Sequence, residues 1–422
     1  MSRVSFVRVV RALRARHSAT GFSFVPAAEI VMSASGRLLK CVFSDATHLK
    51  RLPYIGNVFS TIGLDTSCKL RPLTVTYLLD NECERAWAVH YHALNAALPQ
   101  EFKSELLDIG DQDKGEAAAR EAVMPELKTF FCSRHRMNNV LKNCRKAARG
   151  QFEAAVRCTR KSTLERTIAA FDPKLKEYLS AGPENALQFP AAAIASGRNY
   201  IGYDTSNNVE SWNNRLHEVH VTSSPPFEAA MQLVGYCVQK FHKNKAQAAA
   251  CAHACPPNIL KRISEKETKR AALQDYVVKS NGPKIFLVAP AHYPRSTMLV
   301  NLNAPPGSRC TCEKEKLDDG LPTCVHILAC VSIHGKDIGC EITDLVPRKY
   351  STLSWRAGYE CVNETEICAP ATADLMEEEG EPMELALTTK RARGRPSAVA
   401  LGKRRKSWSE SRSRPRKGSR PI

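Results

Sequence analysis

Four residues limit the fold of this chain more than any others. Cys310 and Cys312 are one residue apart, Cys324 and His326 are one residue apart, and eleven residues separate the two pairs. Three thiolates and one imidazole form a complete tetrahedral ligand set for zinc, so the segment is expected to close on itself around an ion. In extended backbone, residues i and i+2 share a side, which would let each pair act as a clamp. Residues 313–323 are polar and contain Gly320 and Pro322, as suits a loop, and Ile327, Leu328 and Val331 predict the apolar side of a helix after the second pair. The bland alternative is four reduced side chains packed in a core, which the polar surroundings disfavour. Cys330 and Cys340 fall outside the spacing and read as core thiols.

The rest of the chain is long enough for two or three domains at 422 residues, and its 43% hydrophobic and 25% charged content is ordinary for a globular protein. No apolar run approaches the roughly 18 residues of a membrane span. Arg8, Arg11, Arg14 and Arg16 interrupt the first apolar stretch, so no secretory signal is read there, and the 16 cysteines are expected to be reduced thiols rather than a disulfide framework. Residues 1–28 lack acids and carry several arginines. They suit either a mitochondrial transit peptide or a short amphipathic helix with Phe6, Val9, Val10 and Leu13 on one side. Residues 390–422 hold thirteen Lys or Arg against Glu410, a net +12; taking 12 from the total of +18 leaves +6 for everything else. Such a tail has too little apolar content for a core, is expected to be disordered, and favours a polyanion.

Between these ends the periodicity predicts an α/β layer. Three strands are expected around Leu38–Asp45, Tyr54–Ile62 and Leu73–Leu79, with a hairpin connection over 63–71. A helix carrying Trp87, Tyr91 and Leu94 follows, then a strand at Leu106, Leu107 and Ile109, a helix over 114–122 and a strand over 127–132. Residues 136–200 read as mostly helical. Val209, Trp212, Leu216 and Val219 share a helix face, and Phe227, Met231, Val234, Val238 and Phe241 form the expected stripe of a longer helix.

Six local patterns occur in an order that resembles the Mutator-like transposases over roughly residues 35–355. They are Ser44-Asp45-Ala46-Thr47-His48-Leu49-Lys50 followed by Tyr54-Ile55-Gly56; Glu84 to Trp87; Asp111-Gln112-Asp113-Lys114-Gly115; Cys132-Ser133-Arg134-His135 with Asn138; and Thr205-Ser206-Asn207-Asn208-Val209-Glu210-Ser211-Trp212-Asn213-Asn214. The cysteine-histidine spacing resembles the SWIM zinc finger that such proteins carry. The resemblance implies an RNase H-like mixed sheet with a helical insertion at about 136–200, a SWIM module and a basic tail. Its expected divisions are an N-terminal segment 1–36, a core 37–222, a helical connector 223–284, a finger region 285–355 and a tail 362–422.

The resemblance further implies a catalytic triad of Asp45, Asp111 and Glu210, spaced by 66 (111 minus 45) and 99 (210 minus 111) residues. The chemistry is sound on its own terms. Cleaving a phosphodiester needs an activated water or 3′-hydroxyl and relief of charge on phosphate, which two hard cations about 4 Å apart supply. Magnesium or manganese takes carboxylate oxygens. Asp108 and Asp113 compete with Asp111 for this role, and Asp204 with Glu210. Cys132 and His135 read as buttresses at a strand end, and Cys251, His253 and Cys255 as a poor metal set without a clear fourth ligand. Arg393-Gly394-Arg395-Pro396 resembles an AT-hook core, which enters the narrow A/T minor groove, and Lys403-Arg404-Arg405-Lys406 a nuclear import cluster. DNA is thus the expected partner, self-association an allowed second, a membrane none, and the nucleus the expected location. Three readings follow: an active transposase or its remnant, a non-catalytic DNA-binding regulator, and a chain whose finger serves protein contacts alone. Two departures from the family are Ala46 in place of glycine and the lack of cysteine in residues 1–36, where the family carries a DNA-binding zinc domain; the second suggests a shortened copy.

Overall fold

A computed structural model of the chain describes residues 21–50, 56–110, 115–144, 148–156, 158, 161–180, 205–268, 275–294, 296–312 and 314–362. All of them belong to one compact unit, Met1–Gly380, so the expected divisions at 222/223 and 284/285 do not separate units; the second unit, Glu381–Ile422, lies outside the described residues.

The central element is a six-stranded mixed sheet in the order β1-β4-β3-β2-β5-β6. Its strands are β1 Gly21–Phe24, β2 Leu38–His48, β3 Asn57–Asp65, β4 Leu70–Leu78, β5 Leu107–Gly110 and β6 Lys128–Phe131. The meander β2-β3-β4 is antiparallel, and β1 adds antiparallel to β4. On the other side β5 runs parallel to β2, and β6 parallel to β5. The two parallel connections use helices, as they must to return the chain to the same end: α2 Glu84–Ala97 and α3 Gln100–Glu105 before β5, and α4 Glu116–Val123 before β6.

Alternation assigns the two faces. Leu39, Cys41, Phe43, Val58, Ile62 and Ile109 pack against helices α9 Asn207–Glu218, α10 Pro226–Ala250 and α11 Pro257–Thr268. Val42, Phe59 and Leu73 pack against Trp87, Tyr91 and Leu94 of α2, together with Trp355 and Tyr359 of α14 Thr352–Glu360. A separate small core holds α5 Ser133–Asn143, α6 Ala148–Val156, α7 Lys161–Ala169 and α8 Pro173–Ser180, within the stretch read as helical.

Three readings are corrected here. Within the expected N-terminal segment 1–36, the described residues 21–36 are not outside the core: β1 forms the sheet edge, and α1 Ala27–Ala34 follows it. Phe22 and Phe24 point inward, and Glu29 of α1 pairs with the buried Arg71 at 2.6 Å. The stretch 223–284 is not a connector, because α10 and α11 build one face of the sheet core. The stripe on α10 is rotated from its expected position: Ala229, Ala230, Leu233 and Phe241 face inward, whereas Phe227 and Met231 are exposed. Small side chains let the helix approach the sheet there, and bulkier ones are left outside.

Beyond α11 a three-stranded antiparallel sheet, β7 Tyr276–Ser280, β8 Ile285–Pro290 and β9 Met298–Asn301, packs its inner residues Phe286, Val288 and Val300 on α13 Val325–Ile338. The expected boundary at 285 therefore cuts a sheet. Cys330 and Cys340 lie in this core, as read from the sequence. No disulfide joins the described cysteines. Among the described residues no helix is long and apolar enough to cross a membrane.

Candidate functional site

Two candidate sites stand out, one around Asp45 on the six-stranded sheet and Glu210 on α9, and one from the cysteines and histidine beside the three-stranded sheet. Asp45 lies near the end of β2, on the face covered by α9. Asn213 of α9 donates from Nδ2 to Asp45 Oδ2 at 2.9 Å. Two residues along the strand, Thr47 meets His217 Nε2 at 3.2 Å, and His217 in turn meets Thr222 through Nδ1 at 2.5 Å. Two strand residues span about 6.6 Å and four helical residues about 6.0 Å, so the two rungs match and hold helix against strand in one register. Val209, Trp212 and Leu216, all fully buried, supply the apolar side of the same contact.

Glu210 sits one turn before Asn213 on this helix. Its carboxylate meets Arg134 Nη1 at 3.1 Å, His135 Nε2 at 3.6 Å and Ser206 Oγ at 3.4 Å. Arg134 also donates to Asn207 Oδ1 at 2.7 Å. Cys132, the N-cap of α5, accepts a bond from the Ser206 amide at 3.3 Å. Burial alone would push the Cys132 thiol up, but hydrogen bonds with His135 and Ser206 outweigh it and bring it down. Cys132 and His135 thus tie the start of α5 to the start of α9, the buttressing position read from the sequence. Arg134 and Asn213 were missed as site residues. Both lie inside the motifs that carry Cys132 and Glu210, and that proximity was the available signal.

Asp111, Asp113 and Asp204 lie outside the described residues, as do Arg393, Gly394, Arg395, Pro396 and the cluster 403–406. The described part of β5 ends at Gly110, and its Ile109 pairs with Phe43, two residues before Asp45. Asp108 is a different matter. It points to the opposite face from Asp45, is fully buried, and meets Arg120 at 2.8 Å and Ser44 Oγ at 3.0 Å. Arg120 also holds Glu116 at 3.0 Å, and Tyr91 donates to Glu116 at 3.0 Å. Burial pushes both carboxyls up while Arg120 pulls against it. Asp108 is therefore a structural acid and not a competitor for the site. Glu116 also explains Gly110: a β-carbon there would meet its Oε1 at 2.4 Å.

The same buried face carries a continuous polar chain. Asp108 leads through Ser44 to Thr61 at 2.9 Å, then to His90 Nε2 at 2.8 Å, and from His90 Nδ1 to Thr76 at 2.9 Å. Burial depresses His90 to about 3, which keeps it neutral between the two hydroxyls.

In the second site the ligand atoms of Cys310, Cys312, Cys324 and His326 all lie within 4.8 Å of one another. Cys310 Sγ is 3.3 Å from Cys312 Sγ, and Cys312 Sγ is 3.1 Å from Cys324 Sγ. His326 turns Nδ1 inward, 3.5 Å from both Cys310 and Cys324. Zinc–sulfur bonds of about 2.3 Å give a tetrahedron with sulfur–sulfur edges of about 3.8 Å, so an ion fits after small outward movements. The four residues could hold a metal ion, and the set is compatible with structural zinc. Searched against protein-family models and against curated proteins, the chain matches none.

The two expected extended clamps are not what forms. Cys310 bridges to Val300 beside β9, while Cys324 caps α13 and His326 sits in its first turn. A thiolate at a helix N-terminus is favoured by the peptide dipoles. Sequence reasoning also missed the support of Cys310. Arg309, itself buried, donates to Glu315 Oε1 and to the Leu345 carbonyl, both at 2.7 Å. Glu315 Oε2 accepts from the Arg309 amide at 3.0 Å. Glu315 belongs to the short helix α12 Lys314–Leu317, within the stretch read as a polar loop. The turn after it needs Gly320, whose φ is +80° and whose β-carbon would meet Pro306 at 2.7 Å. Cys251 and Cys255 are buried core thiols, and His253 contributes only its carbonyl, to Cys251 at 3.9 Å.

Proposed function

We propose that this chain is a DNA-cleaving protein of the Mutator-like transposase type, with Asp45, Asp111 and Glu210 as its acidic triad and a zinc-stapled SWIM finger as a structural module. The observation that carries the reading is the Asp45–Asn213 bond. It brings the first acid of the triad to the helix that bears the third, one turn away, although 165 residues (210 minus 45) separate them in sequence. The strand order gives further support: an antiparallel meander with two parallel strands added beside its first strand agrees with the RNase H-like mixed sheet that the resemblance implies.

Hard oxygen donors suit magnesium or manganese. When bound, such ions would polarise the phosphate and activate the attacking oxygen. The chain's own part is positional. Asn213 orients Asp45, whereas Arg134 and His135 hold Glu210. The zinc ligands would be Cys310, Cys312, Cys324 and His326, a closed set with no position left for substrate. DNA is the proposed partner and the nucleus the proposed location, both supported by the basic sequence of residues 390–422.

The test is strand cleavage on supercoiled DNA and on linear DNA bearing terminal repeats, with magnesium or manganese supplied. The reading expects nicking by the intact chain and its loss in Asp45→Ala and Glu210→Ala, each by about a thousandfold or more, as for removal of a principal transition-state contact. DNA binding without any cleavage by the intact chain overturns the enzyme and favours the regulator. Cleavage that survives both substitutions overturns the triad.

A further inference from the structure

Asn213 is 5% exposed. Its amide nitrogen is spent on Asp45, while its carbonyl oxygen Oδ1 is buried without a hydrogen-bond partner in the protein. Buried amides nearly always satisfy both ends, and an exception calls for a reason. If Asn213 served only to fasten α9 to β2, the rung four residues on would do the same work: His217 bonds both Thr47 and Thr222, with neither ring nitrogen left over. The two rungs thus differ in what they touch. One ends on a carboxylate of the proposed acid site and keeps an acceptor in reserve; the other is closed.

We infer that Asn213 is a positioning residue of the acid site. Its Nδ2 fixes Asp45 Oδ2 and so sets the orientation of that carboxylate toward a divalent cation, and its Oδ1 accepts a hydrogen bond from a water carried by that cation. An amide suits both tasks because it donates and accepts at once and stays uncharged, so it adds no repulsion to a pair of acids. Partners that orient ligating carboxylates in this way typically change metal affinity by about 10–100-fold when removed. The inference rests on the acid-site reading, and the experiment separates the two.

Manganese affinity of the full chain, with its zinc site loaded, is measured by electron paramagnetic resonance and calorimetry. Thermal midpoints are recorded beside it. Asp45→Ala tests the site itself: if the intact chain binds manganese no better than this variant, the acid-site reading falls, and the role of Asn213 with it. With that contrast in place, Asn213→Ala is expected to weaken manganese binding by ~10-fold or more, and His217→Gln to leave it unchanged despite a comparable shift in midpoint. Equal losses in both variants, or none in Asn213→Ala, overturn the inference in favour of a structural rung. Asn213→Asp provides the second variant. It sets two carboxylates against each other in the metal-free chain, so manganese should raise its midpoint by more than it raises that of the unaltered chain. An equal rise overturns the inference.

Discussion

The proposed acid site and the cysteine-histidine cluster would gather their side chains by opposite means. The sulfur site draws its four ligands from 17 consecutive residues, counting from 310 to 326, and one short sheet and one helix start suffice to gather them. The acid site takes Asp45 from a central strand and Glu210 from a helix far along the chain, and depends on the whole sheet to register them. Local assembly would leave the first site dependent on the ion it is proposed to hold. Distributed assembly leaves the second dependent on the core that seats β2 against α9. The lesson is that the sulfur site is expected to fail alone and the acid site to fail with the core.

The largest expected effect tests that asymmetry directly. Structural zinc contributes on the order of 10 kcal/mol of apparent binding energy in small modules. Chelation, or Cys324→Ser, should open residues 275–345 to protease while the six-stranded sheet keeps its cooperative unfolding; a single transition lost at once in both regions would break the comparison. On the sheet side, Arg120→Met should cost about 3–5 kcal/mol in urea unfolding, because it strands the Asp108 and Glu116 carboxyls in the core. Zinc stoichiometry should not change in that variant.

Acid sharpens the contrast further. The folded value of His90, about 3, lies below its ordinary value of 6.5, so its stabilising contribution is complete above pH 6.5 and is lost progressively as pH falls toward 3. Between pH 7.5 and 5 the loss is about 2 kcal/mol from this residue. His90→Gln should flatten the acid dependence of sheet unfolding and leave acid release of the metal, which follows thiolate protonation, where it was. The smallest effect concerns the link between the regions. Ser351 caps α14 by accepting from the Ser354 amide at 3.1 Å, and Ser351→Ala should cost about 1 kcal/mol by thermal melting.

Much of the sheet is legible because its strands alternate cleanly and its helices carry aromatic stripes; helical spacing assigns Trp87, Tyr91, Val209 and Trp212 to apolar faces, and all four are buried. The edge strand β1 was not, since four residues within a basic, acid-free segment give too short a pattern to outweigh the composition. On α10 the large apolar residues misled, because the close contact is made by Ala229 and Ala230. The sulfur ligands could be read from spacing alone. Asn213 could not be separated from the default of a solvated asparagine, because its role depends on the pairing of α9 with β2, a tertiary fact. Arg309 and Glu315 were hidden likewise: charged residues next to a loop are ordinarily exposed, and only the fold buries them.

One further consequence follows from where α14 goes. After the cysteine-histidine segment the chain returns to the large sheet, where Tyr359 donates to Asp65 at 2.8 Å and Trp355 to the same carboxylate at 3.3 Å. The stretch from β7 to α13 is therefore an excursion pinned at both ends, by α11 on one side and α14 on the other. If this segment holds an ion, losing it would not cast the segment off. It stays tethered close to where it formed, at an effective concentration that favours re-closure over exchange with a neighbouring molecule.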